Sequence, residues 1–259
     1  MNQLDENQER PTPAPAQRQM VNVAMPNRAP YITYTLIAIT VIVYLLQIAS
    51  EVYRGYDVLI WYGARFNPAI QAGQLWRFLT PALLHASFPS VAHILFNMYA
   101  LFSFGTVLER HFGHGRFLLL YILGAYTGNV ISFLLSSEET RSVGASTAIF
   151  GLLGAEAVFL FQNRKLFAGQ FSRSIQNLVF IAIVTLIIGT QSGIDHWGHV
   201  GGLLGGLMFT WFAGPVYKIE GVPPALHLED QRSTRDVIVG AATVILVFSA
   251  LAMWGMIRQ

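Results

Sequence analysis

The sequence predicts an all-α polytopic membrane protein, a bundle of bilayer-crossing helices, and three observations carry that prediction. Hydrophobic residues make up 53% of the 259 positions and charged residues only 12%, where soluble domains carry roughly a quarter charged. The mean hydropathy is +0.47. The apolar residues also run continuously over lengths near the ~17 to 25 residues that cross a bilayer as a helix, without the roughly 10-residue alternation of an outer-membrane barrel.

Residues 1–29 are polar with PTPAP in their midst, too poor in apolar surface to order themselves, and read as a disordered tail. Seven spans follow, approximately Thr33–Ala49, Val91–Leu108, Phe117–Leu135, Ala145–Phe161, Ile175–Gly189, Trp197–Tyr217 and Val237–Ile257. The fifth is the shortest. The first is read as a retained span, because it starts beyond residue 30 and lacks a small-residue cleavage pattern. Between the first two spans, residues 50–90 form a loop too long for a simple connection. Its Tyr53, Tyr56, Trp61, Tyr62, Phe66, Trp76, Phe78 and Phe88 suit the headgroup layer. The other connections are short and make consecutive spans antiparallel neighbours. The expected organisation is a six-span core over 30–217, a linker over 218–235 and an appended seventh helix over 236–259.

Charge fixes the expected orientation. Arg10, Arg18, Arg28, Arg110, Arg116, Arg164, Lys165, Arg173, Lys218, Arg232 and Arg235 fall on one side; Arg54, Arg65, Arg77, Arg141 and Arg258 fall on the other. The richer side is cytoplasmic by the positive-inside rule, so the amino terminus is inside, the carboxyl terminus outside, and the membrane is expected to be a bacterial plasma membrane. The net charge of +2 resides in these loops, with no basic stripe to grip nucleic acid. The absence of cysteine excludes disulfides, thiolate metal sites and cysteine nucleophiles.

Spans two, four and six descend from the same side, and each begins with polar groups: His93 and Asn97, Ser146, and His199. Such groups are costly in hydrocarbon unless used. A serine needs a base within roughly 2.6 to 3.2 Å, which His199 supplies. His93 and Asn97, four apart on one face, are donors for an oxyanion. Asp195 reads as the cap of the sixth span or a water-facing residue, not as a third catalytic member. Gly202 and Gly206 share the face of His199, and Gly154 that of Ser146, as close helix approach in lipid requires. His196 and His199 do not form the H-E-x-x-H pattern of a metalloprotease helix. His85, His111, His114 and His227 are expected to be solvated.

These elements resemble the rhomboid family of intramembrane serine proteases: a serine in GASTAIFG, a histidine followed by spaced glycines in GHVGGLLGG, and the His-Asn pair in HILFN. The resemblance covers residues 33–217, and the seventh span is similar to the six-plus-one subgroup. It implies a six-helix rhomboid-like core in which Ser146 is the nucleophile, His199 the base, His93 and Asn97 the oxyanion donors, and Phe150 a ring stacked on the base. Gly144, Gly202 and Gly206 would support the site. Trp76-Arg77 and Glu109-Arg110 match the family's structural motifs. The implied substrate is a membrane-anchored helix, cut near its outer end, with no metal or organic cofactor. Two departures stand out. Thr147 replaces the usual glycine after the nucleophile, with bulk to crowd the oxyanion site, and Gly198 replaces the usual alanine before the base. Two other classes remain open: a non-catalytic binder of membrane helices, and a transporter using Glu156, about 15 Å deeper than Ser146 at 1.5 Å per residue.

Overall fold

The computed structural model describes residues 23, 24, 26, 28–87, 91–167, 176 and 195–258. Helix α1 (Tyr31–Arg54) ends at Gly55, whose φ of 77° lets its N–H turn back to the Glu51 carbonyl at 2.9 Å, a left-handed stop that glycine adopts without strain. It buries one stripe, Thr33, Leu36, Thr40, Tyr44 and Gln47, and leaves Ile42, Leu45 and Leu46 exposed, the pattern of a peripheral helix facing lipid.

The segment after α1 is compactly folded. It holds α2 (Val58–Gly63), capped by Asp57, then α3 (Asn67–Gln71) and two short 3₁₀ turns, Leu75–Phe78 and Thr80–Leu83. Its aromatics divide: Phe78 is buried, while Trp61, Tyr62 and Trp76 are exposed. Arg77 draws the segment together by donating to the carbonyls of Ala64 (2.6 Å) and Trp61 (2.9 Å), and the Trp76 indole donates to the Tyr62 carbonyl at 3.0 Å.

Helix α4 (Val91–Phe112) leads through Gly113 into α5 (His114–Leu135). Near the end of α4 the buried Glu109 carboxylate accepts the backbone N–H groups of Ile32 and Thr33, each at 2.8 Å, and the Thr33 hydroxyl at 2.7 Å. A side chain of α4 thus satisfies the orphan donors at the start of α1, which has no side-chain cap of its own. Arg110 beside it is exposed. Glu109→Ala strands those donors and is expected to cost about 3 kcal/mol, seen as a lower unfolding temperature in detergent with the His114 contact also lost.

Helix α5 lies inside the bundle: 61% of its most apolar stretch is buried, against 28% for α1, α4 and the last helix. It packs on α6 (Ser146–Gln162) and α7 (His196–Ala213), and these two pack on each other. The last helix, α8 (Thr234–Arg258), opens with Ser233 and Asp236 capping one another and lies on α5 and α7, where Tyr126 and Ser249 share a hydroxyl contact of 2.8 Å. By length and composition α1, α4, α5 and α8 can cross a membrane, and α6 is a shorter apolar helix. The chain is a multi-pass membrane protein of all-α class. The expected fifth span, Ile175–Gly189, lies outside the described residues.

Three expectations are corrected. Val23–Ala24, in the stretch expected to be disordered, forms strand β1; the expected linker holds β2 (Tyr217–Glu220) and β3 (Leu226–Asp230), giving a small sheet in the order β1-β3-β2. Backbone pairing gives these short segments the order their composition does not. His85 is wholly buried instead of solvated, its ring 5.1 Å from that of His93, and burial, with the His93 charge adding, pushes its pKa down to about 3. His111 is half-buried, its ring 4.8 Å from that of Phe159 and tilted 36° to it. His114 meets the Glu109 carboxylate at 2.6 Å and keeps the solvent exposure expected of it.

Candidate active site

Helix α6 is only 17 residues long, about 26 Å at 1.5 Å per residue and so shorter than the ~30 Å hydrocarbon layer. A residue at its first position is therefore recessed when the other end reaches the opposite surface. Ser146 is that first residue. His199 lies in the first turn of α7, and its Nε2 is 2.9 Å from the Ser146 Oγ. The Phe150 ring, four residues on from Ser146, stacks on the His199 imidazole at 4.3 Å and 9°, fixing the plane of the ring. His199 is 3% exposed.

The other imidazole is oriented too. His93 Nδ1 accepts the Ala86 N–H at 3.2 Å, so in the neutral ring the proton sits on Nε2, making that atom a donor. Nε2 faces Gly144, where a methyl would lie 2.9 Å from it and 3.5 Å from Ser146 Oγ. The φ of 131° at Gly144 is one that side chains avoid. Glycine is needed there twice over, for its backbone angle and for the room it leaves His93. Asn97 is buried one turn along α4, and its amide donates to the His93 carbonyl at 2.9 Å. Among the described residues it makes no hydrogen bond to Ser146.

Glycines set the separation of α6 and α7. A methyl on Gly202 would lie 2.0 Å from the Thr147 carbonyl oxygen, and one on Gly206 would lie 1.9 Å from that of Gly151. Gly154 answers from α6, 2.5 Å by the same measure from the Leu203 carbonyl. Sequence reading missed the third partner. Gly124 and Gly128 of α5, spaced as a small-x-x-x-small pair, meet the backbone of Ala148 and the side chain of Thr147.

The bulk of Thr147 is taken up in the packing of the helices. Its side chain is buried between Gly128 of α5 and Gly198 of α7, where a methyl on Gly198 would lie 3.0 Å from Thr147 Cγ2. The two departures from the family pattern are thus two faces of one contact, with bulk added at 147 and omitted at 198.

Asp195 is the cap of α7, accepting the Gly198 N–H at 2.8 Å. Its side chain is also buried, at 8% exposure, as the reading of it as water-facing did not foresee. Its carboxylate accepts the hydroxyls of Ser132 and Ser136 and stands 3.7 Å from the Arg65 guanidinium. Burial alone pushes such a carboxyl up, but bonds from Ser132 and Ser142, the Arg65 charge and the Gly198 N–H outweigh it and hold Asp195 below the ordinary range. These partners occupy the carboxylate, and the His199 Nδ1 has no hydrogen-bond partner among the described residues. Glu156 is half-buried deeper in α6, with Oε2 unpartnered among the described residues. It is not drawn to the Ser146–His199 pair.

The fold and this contact define a class: a polytopic helical membrane protein with a serine and a histidine in contact where two helices begin. Residues 72–216 match the family model described as Rhomboid domain, and the chain belongs to the rhomboid family. It is similar to the Rhomboid protease GluP of Bacillus subtilis, 39% identical over 191 residues that are 73% of this chain and 36% of that protein. It is also similar to the Putative rhomboid protease YdcA of the same organism, 34% identical over 60% of this chain and 77% of that protein. A third relative is the Rhomboid-like protease 1 of Toxoplasma gondii, 36% identical over 58% of this chain and 51% of that protein. The chain spans about a third to a half of the length of the first relatives it matches.

Proposed function

We propose that this chain is an intramembrane serine endopeptidase that cuts single-span membrane proteins near the outer end of their membrane segment, using Ser146 and His199 as a dyad. The observation that carries the reading is the 2.9 Å contact of Ser146 Oγ with His199 Nε2 under the stacked Phe150 ring, within hydrogen-bond reach for a nucleophile and its base. Family membership and relatives named as rhomboid proteases support it.

In this mechanism His199, protonated on Nδ1, takes the Ser146 hydroxyl proton at Nε2 as Oγ attacks the substrate carbonyl carbon. The oxyanion meets the His93 Nε2–H, with Asn97 and the backbone N–H at Ser146 as further donors. Breaking of the C–N bond is completed when His199 gives its proton to the leaving amine. Water then attacks the acyl group on Ser146 by the same route. The reaction calls for no metal or organic cofactor. The amino terminus is cytoplasmic in this reading, the carboxyl terminus outside, and the dyad lies beneath the outer surface of a plasma membrane. The pieces are a tail over 1–29, a catalytic core over 30–217, a connecting stretch over 218–235 and an accessory helix over 236–259. Trp76, Arg77 and Glu109 act as structural braces.

The test is covalent labelling with a fluorophosphonate. Purified full-length protein in detergent is expected to take up the probe at Ser146, located by mass spectrometry, and Ser146→Ala is expected to take up none. A wild type that stays unlabelled while cleaving no single-span reporter would favour a non-catalytic binder or a transporter.

A further inference from the structure

Arg65 is wholly buried in the segment between α1 and α4. A charged side chain in that position is costly unless it is paired. Its connections run to both halves of the reaction centre. The backbone of Arg65 pairs in both directions with Ser142, N–H to carbonyl at 3.0 and 3.1 Å, and Ser142 stands four residues before Ser146. Its guanidinium stands 3.7 Å from Asp195, which stands four residues before His199 and accepts the His199 N–H on its own carbonyl at 3.1 Å. A second branch ties the clamp to α5: Arg65 Nη1 donates to Asn67 Oδ1 at 2.9 Å, and Asn67 donates to the Phe133 carbonyl at 2.8 Å.

We propose that Arg65 and Asp195 form a buried clamp that holds the loop leading into Ser146 and the helix carrying His199 in register, so that both are positioning residues for the reaction. The proposal rests on the protease reading above. Neither side chain touches the reacting atoms. What they set is the spacing of two chain segments, the loop held to the Arg65 backbone at Ser142 and the start of α7 held at Asp195, which Ser142 also bonds. The Ser146–His199 contact needs that spacing kept to a fraction of an ångström, since a 1 Å misplacement costs roughly a hundredfold in rate. Burial keeps the ion pair out of water, where an exposed pair would be too weak and mobile to act as a spacer.

The experiment compares wild type, Asp195→Asn, Arg65→Met, Arg65→Lys and the double variant Arg65→Met/Asp195→Asn, all as full-length protein in detergent. The readouts are the labelling rate at Ser146, kcat and KM on a single-span reporter, and the unfolding temperature. Asp195→Asn keeps an acceptor for the Gly198 N–H and removes the charge. Asp195→Asn and Arg65→Met are each expected to lower labelling and kcat roughly 10- to 100-fold, with KM within about twofold because substrate binding is untouched. Arg65→Lys should recover most of the rate. The double variant should lose no more than the worse single one, as for residues that act as a unit. Losses that multiply, a rise in KM at constant kcat, or variants that label like wild type would overturn the clamp. If Arg65→Met does not fold, Asp195→Asn and Arg65→Lys decide by the same criteria. An unreactive wild type overturns the protease reading and this proposal with it, whereas a reactive wild type with equally reactive variants overturns the clamp alone.

Discussion

On the proposed mechanism His199→Ala is expected to lower the labelling of Ser146, and the cleavage of any reporter, by roughly ten-thousand-fold or more, as loss of the base does in serine hydrolases. The reason is local. Among the described residues Ser146 Oγ has one basic partner, at 2.9 Å, and the serine hydroxyl is a poor nucleophile once that partner is gone. No other imidazole takes over, because His93 Nδ1 is engaged by the Ala86 N–H and its Nε2 carries the proton. The substitution leaves α7 its Asp195 cap, so the unfolding temperature should change little. Reporter turnover above about a hundredth of wild type, measured on protein that melts normally, would remove His199 as the base.

Gly206→Ala should damage the protein as severely by another route. The added methyl would lie 1.9 Å from the Gly151 carbonyl oxygen and 2.6 Å from its carbon. Both are backbone atoms of α6, so no side chain can turn aside, and the two helices must separate by an ångström or more. Ser146 and His199 head these helices and move with them, and a hundredfold loss of rate is the minimum expected of such a shift. Gly115→Ala is the control. Nothing lies within 4 Å of a methyl there, and activity and melting temperature should match wild type. Equal behaviour of the two variants would show that the α6–α7 contact is looser than described.

Much of this was legible in the sequence for physical reasons. Lipid demands long uninterrupted apolar runs, so α1, α4, α5 and α8 could be read from hydropathy alone. Ser146 and His199 could be found because polar groups inside apolar spans are rare, and their helical spacing to Phe150, Gly202 and Gly206 shows which residues share a face. What could not be read was what lies beneath the loop. Arg65 appeared only as a charge on the outer side, since an irregular segment has no period from which burial can be inferred. His85 was hidden for the same reason. The interior place of α5 was obscured because lipid-facing and protein-facing surfaces are both apolar, although Gly124 and Gly128 marked a close contact. The alternating burial of β3 is a period-2 signal in a stretch too short and polar to stand out as a strand.

The seam between α6 and α7 is made of main chain meeting main chain at Gly151, Gly202 and Gly206. Glycine has no rotamers to freeze, so bringing these helices together forfeits almost no side-chain conformational entropy. A leucine-lined interface would pay that cost at every contact and would leave its side chains free to hop between wells. Here Ser146 and His199 head two helices whose backbones are in direct contact, with no side chain between them at these glycines to change rotamer.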